Sequence, residues 1–184
     1  MNDHATILEK LTIDEKDLIT RLPYRVGLYI SQSDEAGGEQ SEAAEMTALS
    51  NIIYGFTESV FGSEDVQYIM AETLRNRDDW PQWINNVSDV PDECMRAHDI
   101  LALHLGEKEM NAFRARMLEI GEAVALAFRE EDEETQGGGG GLMTKIMGVF
   151  GRRESEEYDA YHNISAKERE ALQLLSQALS MAEA

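Results

Sequence analysis

The densest concentration of chemically useful side chains lies between Asp34 and Glu45. Asp34, Glu35, Glu39, Glu42 and Glu45 supply carboxylates there, and Ser33 and Ser41 add weaker oxygen donors. On a helix, Glu35 with Glu39 and Glu42 with Glu45 are neighbours, and like charges at those spacings repel. Glu42 also continues the apolar stripe of Met46, Leu49 and Phe56, so it turns partly inward. A partly buried carboxylate without a partner is driven towards its neutral form, and a divalent cation removes that cost. Hard cations such as Ca²⁺ accept roughly six to eight oxygens in flexible geometry, and Gly37 and Gly38 would let backbone carbonyls join. The segment is not an EF-hand. Asp34 and Glu45 fall at its first and last positions, but Ala36 and Gly38 stand where side-chain oxygens are needed, and Glu39 replaces the turn glycine. A solvated acidic helix start accounts for the same spacing without an ion.

Other chemistries have weaker signals. His98 and His104 belong to no His-Glu-x-x-His pattern and read as core or exposed histidines. No Gly-x-Ser-x-Gly nucleophile motif occurs, and Cys94 has no obvious histidine partner. The glycine run before Lys145 lacks the Gly-Lys-Ser/Thr order of a phosphate loop, because Thr144 precedes the lysine. Trp80 and Trp83, flanking Pro81 and Gln82, read as core or groove lining. Leu142, Met143, Ile146, Met147, Val149 and Phe150, followed by Arg152 and Arg153, would pack on the chain's own core, with a protein partner or a membrane as alternatives. No catalytic signature emerges, so an enzyme is not expected.

These residues sit in a chain of 184 residues carrying a formal charge of −20, with 42% apolar and 28% charged residues. One domain over residues 1–184 accommodates that length, with an acidic and glycine-rich segment at 130–141 inside it. So acidic a surface repels nucleic acid and anionic lipid and attracts cations and basic partners. A single cysteine excludes an intramolecular disulfide and a multi-cysteine zinc site. No uncharged apolar run approaches the ~18 residues that span a bilayer, and no secretory signal is visible at Met1–Thr6. The cytoplasm is therefore the expected compartment.

The elements that must position the acids read as helices throughout. Thr12 and Glu15 match a capping box, and the helix they open should bend or restart at Pro23. Asp34 to Gly38 is a break. Met46, Leu49, Ile52, Ile53, Phe56 and Val60 then recur as one face of a long helix. Gly62-Ser63 starts another, carrying Val66, Ile69, Met70 and Leu74. A short helix is expected around Trp80 to Ile84, and a further one to Leu105 with Met95, Ile100 and Leu103 inward. Met110, Phe113, Met117, Ile120, Val124 and Phe128 mark the strongest helix, and Ser165 with Glu168 forms a second capping box before Leu172, Leu175 and Leu179. No segment alternates long enough to argue for a strand, so the fold class is all-α, a compact single-domain bundle.

Two helix starts echo each other. Glu45-Met46-Thr47-Ala48-Leu49, with Ile52 and Phe56, lines up with Glu168-Arg169-Glu170-Ala171-Leu172, with Leu175 and Leu179. An early-turn carboxylate gains about 0.3–1 kcal/mol from the helix dipole. Coincidence between two amphipathic helices explains this echo, and so does a duplicated unit with a pseudo-symmetric acidic site.

Three stretches carry a resemblance to a known family. They are Leu22-Pro23-Tyr24-Arg25-Val26-Gly27, the acidic Asp34-to-Glu45 span, and Gly121-Glu122-Ala123-Val124-Ala125-Leu126-Ala127 followed by a glycine-rich crossing and Ile164-Ser165-Ala166-Lys167-Glu168. Together they resemble the TerB-like tellurite-resistance family over most of the chain. The resemblance implies an all-helical fold with two related helical halves, an acidic metal-binding surface, a role in bacterial stress response and calcium-linked protein partners near the membrane. Asp34, Glu42 and Glu45 match the family's acidic positions in the first half, and Glu168 matches those in the second. The chain departs from the family in reading Ser33-Asp34-Glu35 where Ala-Asp-Gly is usual, and in the long acidic insertion before the last helix. The expectation is a non-enzymatic module holding a divalent cation, Ca²⁺ first, on Asp34, Glu42, Glu45 and Glu168, working with protein partners. The alternatives are a metal-dependent hydrolytic enzyme, in which two cations on the same carboxylates activate a water, and a metal-free interaction scaffold.

Overall fold

The computed structural model describes residues 6–33, 39–58, 62–127 and 164–180, with the backbone alone over 39–45. The described residues form an all-α domain without strands. Its helices are α1 (Ile13–Ser31), α2 (Glu39–Glu58), α3 (Glu64–Arg75), α4 (Val90–Ala102), α5 (Glu107–Ala127) and α6 (Ala166–Ser180). Short 3-10 turns cover Ile7–Glu9, Arg77–Gln82 and Val87–Asp89.

Local chemistry sets the boundaries. Thr12 caps α1 as expected: its hydroxyl accepts from the Glu15 N–H at 3.4 Å, and the Glu15 carboxylate accepts from the Thr12 N–H at 2.9 Å. Ser63 caps α3 after Gly62, whose φ of 86° lies in the left-handed region that glycine enters without penalty. The expected short helix around Trp80 resolves into two 3-10 turns.

Two expectations fail. Pro23 does not interrupt its helix, because α1 runs unbroken from Ile13 to Ser31. Proline deprives the Ile19 carbonyl of its helical donor and crowds that turn. Helix α3 braces the same turn from outside, where Thr73 Oγ1 donates to the Thr20 carbonyl at 2.6 Å, and Leu22, Pro23 and Tyr24 are all buried. In α4, Met95 and Ile100 are half-buried against the core as expected, but Leu103 lies past the helix end and the innermost positions are others. Val90, Glu93, Cys94, Ala97, His98 and Leu101 are buried, whereas Leu103 is 79% exposed. Small Cys94 and Ala97 let neighbouring helices approach closely, and ion pairing described below draws Glu93 inward.

Helices α1 and α5 form the centre, and each touches all the other α-helices. Around them α2 packs with α3, and α4 packs with α6. The core is continuous through all six helices, with Ile19, Leu22, Ile30, Leu49, Ile53, Ile69, Leu101, Phe113 and Leu175 fully buried. Two close helix approaches occur at glycines. A methyl group on Gly27 of α1 would overlap the Leu49 side chain of α2. A methyl on Gly121 of α5 would stand 2.9 Å from Leu172 Cδ2 of α6 and 3.3 Å from Ile30 Cγ1 of α1.

Candidate functional site

The acidic span divides at the start of α2. Asp34, with the rest of 34–38, lies outside the described residues. Glu39 and Glu42 occupy the first turn of α2, and Glu45 falls in its second. The dipole benefit expected for an early-turn Glu45 therefore passes to Glu39 and Glu42, because the effect fades within the first turn. Ser33 is half-buried and its hydroxyl donates to the Ile30 carbonyl at 2.7 Å, which ties it to the end of α1.

Glu168 opens α6 and is 3% exposed. Its Oε2 accepts from the Ser165 N–H at 2.8 Å, and its own N–H donates to Ser165 Oγ at 3.1 Å. This reciprocal pair is the expected capping box, and it gives the Glu168 carboxylate a fixed place at the head of the helix.

The backbone links the two acidic helix starts through the central pair. Leu49, four residues after Glu45, seats on Gly27 of α1. Leu172, four residues after Glu168, seats on Gly121 of α5, and Gly121 lies against Ile30, three residues beyond Gly27. Helices α2 and α6 thus converge on one stretch of the α1–α5 contact. The match extends along both central helices. Ile19, Leu22, Pro23, Val26, Gly27 and Ile30 are buried in α1, and Phe113, Arg116, Met117, Ile120, Gly121 and Val124 are buried in α5 at the same spacing. Among the described residues, no three His, Cys, Asp or Glu side chains gather as a metal-ligand group; of the expected ligands, only the Glu168 side chain falls within that set.

Sequence reasoning missed a buried ionic clamp. Arg25 of α1 is buried, and its Nε donates to Glu93 Oε2 at 2.6 Å. Its Nη1 donates to the Trp83 and Asn85 carbonyls at 2.5 and 2.7 Å, and its Nη2 donates to the Asn86 carbonyl at 2.9 Å. Arg21 Nη2 holds the other Glu93 oxygen at 2.9 Å. One guanidinium thus organises the whole connection between α3 and α4, including Asn86 at a left-handed φ of 54°. A planar guanidinium with five fixed donors suits this task, whereas lysine does not. The signal in the sequence was a lone charge at position 25 inside the otherwise apolar run from Leu22 to Ile30.

Aromatic packing reinforces the clamp. The Tyr24 ring stacks on Trp80 with centroids 4.3 Å apart and meets Trp83 at 6.2 Å in a tilted arrangement. Trp80 Nε1 donates to the Thr73 carbonyl at 3.1 Å. The Tyr24 hydroxyl donates to the sulfur of Met46 at 3.1 Å, and burial pushes its pKa up to about 12. Trp80 belongs to the core, as expected, and Trp83 packs half-buried against it.

The remaining candidate nucleophile and base are structural. Cys94 is completely buried, and burial raises its thiol well above the ordinary range, with the Glu93 charge adding to the effect. A thiol held protonated is unreactive. His98 shares the buried face of α4 one turn later, a proximity that the sequence reading overlooked. Its Nε2 lies 2.9 Å from Arg114 Nη2. Since a guanidinium only donates, Nε2 accepts and the ring proton is assigned to Nδ1. His104 is exposed. Arg116 is buried with its guanidinium 4.6 Å from the centre of the Phe56 ring and 3.3 Å from Glu119. Burial lowers its pKa, and the Glu119 charge opposes that shift.

The segment Leu142 to Phe150 and the glycine run Gly137 to Gly141 lie outside the described residues. No helix among the described residues is long and apolar enough to cross a membrane. Comparison with protein families, with characterised proteins and with solved structures finds no match.

Proposed function

We propose that this chain is a non-enzymatic, cytoplasmic module that binds a divalent cation, with Ca²⁺ the first candidate, and serves a bacterial stress-response assembly of the tellurite-resistance kind. Asp34, Glu42 and Glu45 supply the acids of one half, and Glu168, already ordered by its cap, supplies that of the other. A cation held between them fixes the start of α2 against the central helices and so sets the surface offered to a protein partner. The convergence of the two acidic helix starts on the Gly27–Ile30 and Gly121 contact carries this reading. Each start is followed, four residues beyond its glutamate, by a leucine that seats on a glycine of the central pair, Leu49 on Gly27 and Leu172 on Gly121.

A thermal melt with and without calcium tests it. Binding to the native state at a hundredfold excess over Kd stabilises by about 2.7 kcal/mol, which raises Tm visibly. Replacing both Glu42 and Glu45 by glutamine abolishes the increase while leaving a folded protein, since removing like charges on one helix face eases repulsion. If Tm stays constant in calcium, magnesium and manganese alike, the cation is gone from the picture and a metal-free scaffold takes its place.

A further inference from the structure

Helices α1 and α4 pack against each other, and two charge contacts fix their register. Glu93, near the start of α4, meets Arg21 and Arg25 from the middle of α1. His104, two residues beyond the end of α4, stands close to the first turn of α1. There the Thr12 backbone and hydroxyl hold the Glu15 carboxyl low, and the His104 charge adds a smaller share. The two helices are therefore antiparallel. This register brings Ile13, two residues before Glu15, and Leu103, the residue before His104, to one end of the seam. Among the described residues they are the two most exposed large apolar side chains, at 88% and 79%. Leu11 and Leu105 stand two residues from them in sequence, half-buried against the core.

Apolar side chains scattered singly over a surface need no explanation, whereas apolar surface gathered inside a polar rim marks contact with another molecule. The rim here is acidic. Asp14 follows Ile13 directly and is exposed, and Asp99 stands one turn before Leu103 with its side chain 75% exposed. The Glu109 carboxylate folds back to Gly106, where an added methyl would come within 2.9 Å of it. The lysines at this end are Lys10, Lys16 and Lys108, and Lys16 is already paired with Glu72 of α3 at 3.4 Å. Negative charge therefore prevails. It also selects the occupant. A second copy would set the same acids against each other, on molecules that each carry a formal charge of −20, and anionic lipid is repelled for the same reason. A segment with bulky apolar side chains between lysines or arginines gains on both counts, from contact with Ile13 and Leu103 and from charge complementarity at the rim.

We infer that the end of the α1–α4 seam, around Ile13 and Leu103, docks a basic protein segment whose apolar side chains cover those two residues. The inference rests on the reading that the chain works with a protein partner, and it names the surface and the chemistry of that contact. It does not depend on the cation, because none of the residues involved belongs to the proposed ligand set.

The experiment adds the whole chain, in EDTA, to a labelled amphipathic helical peptide of leucine and lysine and follows fluorescence anisotropy. The wild-type chain should bind, and added salt should weaken the complex. Combining Ile13→Gln with Leu103→Gln leaves every charge in place, and both side chains already face water, so the fold survives, as circular dichroism verifies. Its affinity should fall about tenfold or more, since covering one exposed Leu or Ile is worth at least that factor. Ile84→Gln removes an exposed apolar side chain at the opposite end of the seam and should bind as the wild type does. Equal affinity of the wild type and the double variant overturns the inference, because the attraction then belongs to the acidic surface at large. Absence of binding by the wild type also overturns it, and a lowered Tm of the double variant would then assign the face to the chain's own residues. Self-association of the wild type that the double variant abolishes overturns it in favour of a second copy. In EDTA none of these failures bears on the cation, which the calcium melt tests separately.

Discussion

The α1–α2 and α5–α6 pairs solve the same packing problem and then diverge. In both, a glycine on the central helix admits a leucine from the outer one, Leu49 onto Gly27 and Leu172 onto Gly121. Buried positions along the two central helices share one spacing. The polar surroundings differ. Two residues before Gly27 stands Arg25, buried and clamped to Glu93 and three carbonyls; two residues before Gly121 stands Glu119, half-buried and paired with Arg116. At the outer helices, Glu168 belongs to a capping box two residues after Ser165's neighbour Ala166 opens α6, whereas Glu45 lies a full turn into α2. The apolar half of the motif is repeated, and the ionic half is particular to each pair. Packing geometry is thus separable from charge placement in this fold.

The ionic difference gives the largest expected effect. Glu93→Ala leaves the Arg25 guanidinium buried without its carboxylate, and breaking a buried pair in this way costs about 3–5 kcal/mol. Glu119→Ala, at the register position matching Arg25, removes a half-exposed partner of Arg116, whose guanidinium keeps its place over the Phe56 ring, and so costs less. Urea denaturation of the two variants side by side measures the contrast. Equal losses would mean that Arg25 is no more a keystone than its counterpart.

The glycines come next. Alanine gains about 1 kcal/mol over glycine as a helix former, while overpacking a full core costs about 1–3 kcal/mol. At Gly27 the new methyl meets the buried Leu49 at three carbons, so the loss dominates and Gly27→Ala destabilises. At Gly121 the tightest neighbour is a terminal methyl of the half-buried Leu172, which can move aside, so Gly121→Ala should lie within about 1 kcal/mol of neutral. Thermal melts of both variants decide whether the two seats are equally tight, and a neutral Gly27→Ala would show that they are.

This contrast also explains what could be read in advance. Apolar periodicity located every helix from α1 to α6, and both capping boxes form, because those features depend on residues within one or two turns. Interior details that depend on partners far along the chain escaped. Pro23 was expected to interrupt α1, but its support comes from Thr73, about fifty residues away in sequence. Met95 and Ile100 pack half-buried as expected, but Leu103 falls one residue past the end of α4 and is exposed. The clamp escaped motif reasoning because Glu93 lies far along the chain from Arg25 and the other three acceptors are backbone carbonyls, which no side-chain pattern encodes. Of the expected ligand set, only Glu168 has a described side chain, and its capping bond was legible from Ser165 alone.

The smallest effect concerns the first turn of α1. Hydrogen bonds from the Thr12 backbone and hydroxyl hold the exposed Glu15 carboxyl below its usual pKa. A depressed folded-state value means that the stabilisation is fully present above the ordinary carboxylate range. It fades as pH falls through the lower folded value. Thr12→Ala should therefore flatten the acid limb of the stability–pH curve slightly and return Glu15 towards its ordinary titration, followed by NMR. An unchanged Glu15 titration would show that the backbone N–H of residue 12, which the substitution keeps, holds that carboxyl without the hydroxyl.

Cys94 lends the molecule a built-in clock. Its sulfur is sealed within α4, next in sequence to the carboxylate that two arginines hold. A thiol reagent in solvent can reach it only in the moments when α4 lifts from its neighbours. The pace of modification under native conditions then counts those openings. The one cysteine, chemically idle while the bundle stays shut, thereby reports how often this ion-paired seam comes apart.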